Sequence, residues 1–354
     1  MLRDLEAGVQ TEAKRILSRL SEVAPRESAL AGRLLQADRE GGTPMRILVL
    51  GAGALGGYFG GRALEKGADV SFLVRPRRAE QLAHDGLVVR GPLGDFTRPV
   101  TALTQAGPGF DVVLLTAKAY DLDDAIGAIR PAMQAGAAVL PVLSGMSHLD
   151  ALNAAFGRDR VWGGLAHISA SLGADGTIRQ VGDWCGLYFG EQDGRMDGQA
   201  AALAAALGSG NGLQATVVPD ILGRMWEKMV TIGTLAAASV LFRAAVGDIL
   251  RAGGEPFLDR LLEGNAAIAA ANGHPVREAY RPTLRMLFGD RDSPITASLM
   301  KDLEAGGRNE ADHILGWLAE AGERAGVDTT LQRAAWVHAK AQAERRAREA
   351  RAAN

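Results

Sequence analysis

Hydrophobic positions follow two rhythms along this chain. From Met45 to about residue 219, short apolar runs alternate with stretches of helical spacing. RILVL (46–50), DVSFLV (69–74), VVLLTA (112–117) and AAVLPVL (137–143) are apolar almost throughout, the pattern of strands buried on both faces. ALGGYFGGRALEKG follows the first run and DLDDAIGAIRPAM precedes the last; both predict helices. VWGGLAHISASL and TIRQVGDWCGLYFGE predict two later strands joined by a turn at GADG (173–176). After about Asp220 strand patterns stop. Helical spacing then predicts helices at 221–242, 255–272, 276–288, 294–305, 309–325 and 328–350.

This alternation predicts an α/β chain. A Rossmann-type domain with a mostly parallel sheet and helices on both faces covers residues 45–219, and an all-helical domain covers 220–345. The groove between two such domains is the expected place for a small-molecule site. Residues 1–44 have a different texture. AKRILSRLSEV (13–23) has helical spacing and ADREGGTP (37–44) has linker composition. Two readings stay open for this segment: a loosely attached extension, or an upstream stretch ahead of a natural start at Met45. No function is assigned to it.

Composition narrows the function classes. With 354 residues, 47% hydrophobic and 23% charged, the chain reads as an ordinary globular protein of two domains. A net charge of −2 gives no basic face for nucleic acid. A single cysteine, Cys185, excludes an internal disulfide framework and fits a reducing cytoplasm. Inside its predicted strand it reads as a small packed hydrophobe. The uncharged run Met229–Phe242 falls short of the roughly 18 apolar residues a membrane span needs, and MLRDLEAGVQ lacks the apolar core of a secretion signal. Six histidines form no H-x-x-H or H-E-x-x-H pair, so no metal is expected, and no G-x-S-x-G elbow suggests a hydrolase. The helical half is compatible with a homodimer, although no stripe on it specifies one.

Two stretches carry candidate chemistry. Gly51-Ala52-Gly53-Ala54-Leu55-Gly56 spells G-x-G-x-x-G directly after a predicted strand and at the start of a predicted helix. The first glycine permits a tight turn, the second a close approach of backbone to pyrophosphate, and the third close helix–strand packing. The helix N-terminus then offers free N–H groups to the phosphates. After the second strand, FLVRPRR supplies Arg75, Arg77 and Arg78 where an NAD enzyme usually has an acid. Guanidinium groups suit a 2′-phosphate, so the expected cofactor is NADPH. The second stretch is Lys228, at the mouth of the most apolar predicted helix. It reads either as a lysine extending its ammonium to water in a turn that Arg224 and Glu227 already expose, or as a buried lysine with a lowered pKa suited to proton transfer.

The GAGALG loop, LLTAKAYD (114–121), PVLSGM (141–146), WEK (226–228) and SLMKDLEAGGRNEADHILG (298–316) occur in this order and spacing. Together they resemble ketopantoate reductase (2-dehydropantoate 2-reductase) and its paralogues over residues 45–345. The resemblance implies an NADP-dependent oxidoreductase that reduces a small-molecule 2-oxo acid to a 2-hydroxy acid. It implies that Lys228 is the general acid, that Glu310 contacts the substrate hydroxyl, and that Ser298 helps bind the carboxylate. It places Lys118 and Ser144 beside the nicotinamide, and it implies a role in pantothenate biosynthesis.

Local chemistry accommodates Glu310. Gly306-Gly307 should end the preceding helix, and Asn309 should cap a new one with Asp312 in a capping-box position. Glu310 is then expected in an exposed first turn. The chain departs from the family at three positions. Ser144 stands where Asn is usual, and Ile232 and Ala236 replace two asparagines four and eight residues after the lysine. An apolar wall in place of hydroxyl-binding amides shifts the expected substrate toward a less polar carbonyl compound. The alternatives are a paralogue with such a substrate and a non-catalytic NADP-binding regulatory protein.

Overall fold

A computed structural model describes residues 45–353 apart from Asp197 and Asn211, so the readings of residues 1–44 lie outside the described residues. The described chain forms two compact units. One runs to Leu143 and resumes over His148–Ile221; the other comprises Ser144–Ser147 and everything from Leu222 onward.

The first unit begins with β1 (Arg46–Leu50), α1 (Ala54–Glu65), β2 (Asp69–Leu73), α2 (Pro76–Asp85), β3 (Leu87–Arg90), β4 (Phe96–Arg98) and β5 (Thr101–Leu103). It continues with β6 (Val112–Leu115), α3 (Leu122–Gln134), β7 (Ala138–Pro141), α4 (Ser147–Phe156), β8 (Trp162–Leu172), β9 (Ile178–Glu191), α5 (Gln199–Leu207), β10 (Ser209–Gly210) and β11 (Leu213–Val217). Strands β5, β2, β1, β6 and β7 make an all-parallel sheet in that order, with Ile47 beside Val70 on one side and Val112 on the other. Their near-continuous apolar sequences follow from burial: Leu48, Val49, Phe72, Val112 and Leu140 are all fully enclosed. Each side chain of this size contributes about 1.5–3 kcal/mol when removed from water.

The second sheet has the order β10-β11-β9-β3-β4 and is mixed, with β8 antiparallel to β9 and a register shift between His167 and Ser169. The turn at 173–176 closes this hairpin, with Gly176 N–H donating to Gly173 at 3.0 Å. Strands β3, β4, β5, β10 and β11, and helices α2 and α5, are absent from the sequence reading. The strands are two to five residues long, too short for periodicity to register, and their pairing is imposed by β2 and β9. Cys185 is buried on β9, and burial pushes its thiol up to about 12, leaving a packed and unreactive group.

The second unit is helical, as anticipated. It contains most of α6 (Ile221–Phe242), then α7 (Val246–Arg251), α8 (Glu255–Ala271), α9 (Arg281–Gly289), α10 (Ser298–Ala305), α11 (Trp317–Arg324) and α12 (Thr330–Ala353). Helix α7 is an unanticipated turn and a half. The helix expected from residue 294 starts at Ser298, and the one expected over 309–325 opens with a π-helical turn, Asp312–Gly316. Helix α6 is long and apolar enough by length and composition to cross a membrane, but 67% of its apolar window is buried inside the protein. A buried polar chain fixes its rotation. Asn265 on α8 donates to Thr234 Oγ1 at 2.9 Å, and Gln332 on α12 donates to Asn265 Oδ1 at 2.8 Å. With every member bonded, such a chain specifies one packing arrangement.

Candidate functional site

The glycine turn joins the end of β1 to α1. Gly51 has φ +96°, a left-handed conformation glycine adopts without strain, and its N–H donates to Leu73 at 2.9 Å. At Gly56 a Cβ would lie 2.1 Å from the Gly51 carbonyl oxygen and 2.4 Å from Thr116 Oγ1, so no side chain fits. At Gly53, the residue preceding α1, a Cβ would meet no atom within 4 Å. One glycine is therefore required by the protein's own packing, and the other leaves the backbone open to an approaching group. Ala52 is buried, and Ala54 and Leu55 are half-buried. A turn without side chains at the head of a twelve-residue helix fits a dinucleotide pyrophosphate.

Arg75 follows β2 and Lys118 follows β6, so both stand with the glycine turn at the C-terminal edge of one parallel sheet. This edge is where open α/β sheets bind their ligands. The Arg75 side chain is 82% exposed and lies 3.7 Å from Asp121. Lys118 and Arg77 are exposed as well. Arg78 differs from its neighbours: its guanidinium turns inward onto the carbonyl of Ala52.

In the helical unit, Lys228 lies two turns into α6. Burial pulls its ammonium down from an ordinary 10.5 to about 8, and the nearby Glu310 carboxylate opposes part of that fall. The residue keeps part of its surface accessible, so the ammonium is desolvated without being sealed off. The water-extended lysine is thus the wrong reading, and so is the exposed turn assumed around it. Glu227 is only 3% exposed and is held by Arg277, whose Nε donates at 2.7 Å and whose backbone N–H donates at 3.1 Å. Trp226 is buried and packs against Trp317 at 5.2 Å and His274 at 6.0 Å. The turn that carries Lys228 is therefore fixed by aromatic contacts and a buried ion pair.

Glu310 also departs from expectation. It is 6% exposed and lies just before the helical segment rather than in an exposed first turn. Asn309 does cap, its Oδ1 accepting the Ala311 N–H at 3.1 Å. Asp312 does not complete a capping box; its carboxylate receives Trp336 Nε1 at 2.6 Å and Lys340 Nζ at 3.1 Å. The π turn that follows meets the loop 144–147. A Cβ on Gly145 (φ +82°) would lie 2.7 Å from the His313 carbonyl oxygen, and Ser147 Oγ is 3.2 Å from His313 Nδ1. Ser144, half-buried in that loop, thereby belongs to the same compact unit as Lys228 and Glu310. Widened turns of this kind recur at functional sites.

Ser298 is exposed as the first residue of α10. Its neighbour Ala297 donates its N–H to the buried Ser239 on α6 at 3.1 Å. Lys228, Ile232, Ala236 and Ser239 follow one another at helical spacing, so one stripe of α6 runs from the ammonium to the anchor of α10. Ile232 is half-buried on that stripe and Ala236 is buried. Sequence reasoning missed Arg277, His313, Ser239 and the inward turn of Arg78. Their partners lie 50, 166, 58 and 26 residues away, so no local pattern could have revealed them.

Among the described residues, no group of three or more His, Cys, Asp or Glu side chains is placed to hold a metal ion.

Comparison with known proteins adds a family. Residues 47–194 match the model of Ketopantoate reductase PanE/ApbA, and residues 220–343 match that of its C-terminal part. The chain is similar to Uncharacterized oxidoreductase YkpB of Bacillus subtilis, at 33% identity over 79% of this chain and 93% of that protein. It is also similar to a 2-dehydropantoate 2-reductase of Archaeoglobus fulgidus, at 30% identity over 81% of this chain and 94% of the other. Among solved structures, the 2-dehydropantoate 2-reductase of Methylococcus capsulatus aligns with a TM-score of 0.77 and 28% identity, covering 85% of this chain and 97% of that one.

Proposed function

The chain belongs to the ketopantoate reductase PanE/ApbA family of oxidoreductases, and from that premise we propose that it reduces a 2-oxo acid to the 2-hydroxy acid with NADPH, ketopantoate to pantoate being the reference reaction. Residues 45–219 would form the NADP-binding domain and residues 220–345 the substrate domain. The observation that carries this reading is Lys228, a lysine lowered to about 8 beside a buried carboxylate, Glu310.

When bound, the reduced nicotinamide supplies the hydride. The chain's own residues manage the charge that the hydride creates. Hydride addition to a ketone builds negative charge on oxygen, and Lys228 donates its proton there. A donor whose pKa lies near the working pH is both protonated and ready to transfer, and such assistance is worth about 10²–10⁴-fold. Glu310 orients the substrate hydroxyl, and Ser298 helps hold the carboxylate. The Gly51–Gly56 backbone receives the pyrophosphate. Arg75 meets the 2′-phosphate, while Lys118 and Ser144 border the nicotinamide.

Ile232 and Ala236 favour a second reading of the substrate within the same chemistry. Their aliphatic side chains follow Lys228 on one helical stripe where family enzymes carry amides, so a 2-oxo acid with a less polar side chain suits the wall better than ketopantoate.

The decisive experiment follows NADPH absorbance with a panel of 2-oxo acids graded in polarity, using the wild type and Lys228→Ala. The wild type should oxidise NADPH with at least one member of the panel. Lys228→Ala should lose about 10²–10⁴-fold in kcat and keep its NADPH affinity. Unchanged turnover in that variant would end the assignment. NADPH binding with no oxidation by any member would make the chain a binding protein instead.

A further inference from the structure

Arg75, Arg77 and Arg78 enter the sequence as three equivalent cations near the expected cofactor, and the structure separates them. The Arg78 guanidinium has five N–H donors, and each meets an acceptor. Nε donates to Ala52 O at 3.2 Å, and Nη2 donates to the same oxygen at 2.9 Å. Nη2 also reaches Gly176 O at 3.2 Å. Nη1 donates to Gln81 Oε1 at 2.7 Å and to Gly176 O at 3.2 Å. No donor is left over for a phosphate. Arg75 and Arg77, by contrast, are exposed.

The acceptors define what Arg78 holds. Ala52 is the second residue of the glycine turn, and its carbonyl is the anchor point. Gly176 lies in the turn of the β8–β9 hairpin, with φ +76°. A Cβ there would fall 2.6 Å from Arg78 Nη1 and 2.1 Å from Gln81 Nε2, so the hairpin backbone is pressed against the clamp. Gln81 is secured in turn, donating to Asp175 O at 3.0 Å. Burial lowers the Arg78 pKa from its ordinary value, consistent with a group enclosed by protein rather than offered to a ligand. One side chain on α2 thus joins the glycine turn to a hairpin of the second sheet. Lysine could not do the same, because a single ammonium lacks the planar fork that spans two carbonyls and an amide.

We infer that Arg78 is a positioning residue for the dinucleotide: it braces the Gly51–Gly56 turn through the Ala52 carbonyl, and leaves discrimination between a 2′-phosphate and a 2′-hydroxyl to Arg75 and Arg77. This rests on the dinucleotide reading above. Bracing acts on the part of the site common to NADPH and NADH, so its loss weakens both alike. A phosphate ligand acts on NADPH alone.

The test titrates full-length protein with NADPH and separately with NADH, reading nucleotide fluorescence, for the wild type, Arg78→Lys, Gln81→Ala, Arg75→Ala and Arg77→Ala. Arg78→Lys should raise both dissociation constants by a common factor of about tenfold, the scale of one charge-assisted hydrogen bond. The NADPH/NADH ratio should stay at the wild-type value. Gln81→Ala, which removes one leg of the clamp, should raise both by a smaller common factor, and it serves as the test if Arg78→Lys does not fold. Arg75→Ala or Arg77→Ala should weaken NADPH alone. A residue that serves only the stability of the fold would lower the melting temperature and leave the Kd of the folded protein unchanged. That outcome overturns the inference, as does a loss confined to NADPH in Arg78→Lys. A wild type that binds neither nucleotide overturns the dinucleotide reading, and the brace with it.

Discussion

The glycine turn of the sheet unit and the Lys228–Glu310 centre of the helical unit are built on opposite terms. The first is made of backbone. Its specificity lies in atoms it lacks: a Cβ at Gly56 would meet Gly51 and Thr116, while the space over Gly53 is empty. The second is made of side chains from distant parts of the chain, and its chemistry comes from withdrawing one charge from water. A backbone site fails when an atom is added. A side-chain site fails when an atom is removed or a proton moves.

The largest test of that contrast is Gly56→Ala. The obstructing atom is a backbone oxygen 2.1 Å away, so the turn must open. NADPH affinity should fall by more than about 100-fold, measured by nucleotide fluorescence, because the misplaced turn cannot relax around a methyl group. Next comes Glu227→Ala, which attacks the other centre from beneath. Removing the buried partner of Arg277 should cost about 3 kcal/mol in chemical denaturation. It should lower turnover by loosening the turn that carries Lys228, while NADPH affinity holds. Equal damage to cofactor binding would blur the contrast.

A third test is pH. Reduction requires the protonated Lys228, so kcat should fall above about pH 8, approaching tenfold per pH unit. Stability should move the other way. The unfolded chain holds the lysine proton up to about 10.5 and the folded chain only to about 8. In that window the unfolded state binds more protons, and the contribution of this group to stability rises with pH by about 3 kcal/mol at its limit. Below the folded value both states carry the proton and the full penalty is present. Opposed trends of rate and stability above pH 8, followed by turnover and denaturant titration, distinguish a desolvated donor from an exposed one.

The smallest effect belongs to Gly53→Ala. Its φ of −84° suits any residue and the added methyl touches nothing. Stability should change by no more than about 0.5 kcal/mol. NADPH binding should nevertheless weaken, because the methyl would occupy the open face of the turn.

The two centres differed equally in how far they could be read in advance. RILVL followed by GAGALG sits within eleven residues, so the strand, turn and helix were legible from local pattern. Long helices such as α6 and α8 were legible for the same reason, since periodicity accumulates over several turns. The four-residue β3 and three-residue β4 and β5 were not, because their conformation is dictated by the strands beside them. Lys228 and Glu310 were picked out through the family pattern, and their burial was misjudged. Charged residues at helix starts ordinarily meet water, and nothing near Glu227 announces Arg277, fifty residues on. Ser298 was placed on the right helix, but its link to the α6 stripe runs through Ser239, which no motif marks.

The π turn at Asp312–Gly316 has a consequence for how this protein can change. Such a turn contains one residue more than the α-helical turn it replaces. A single-codon deletion there would restore regular winding without breaking the helix, yet every later position would swing by about 100° around the axis. Trp317 would leave Trp226, and Trp336 would lose Asp312. The extra residue works like a shim: it occupies little space itself, and it sets the angle at which everything after it is mounted.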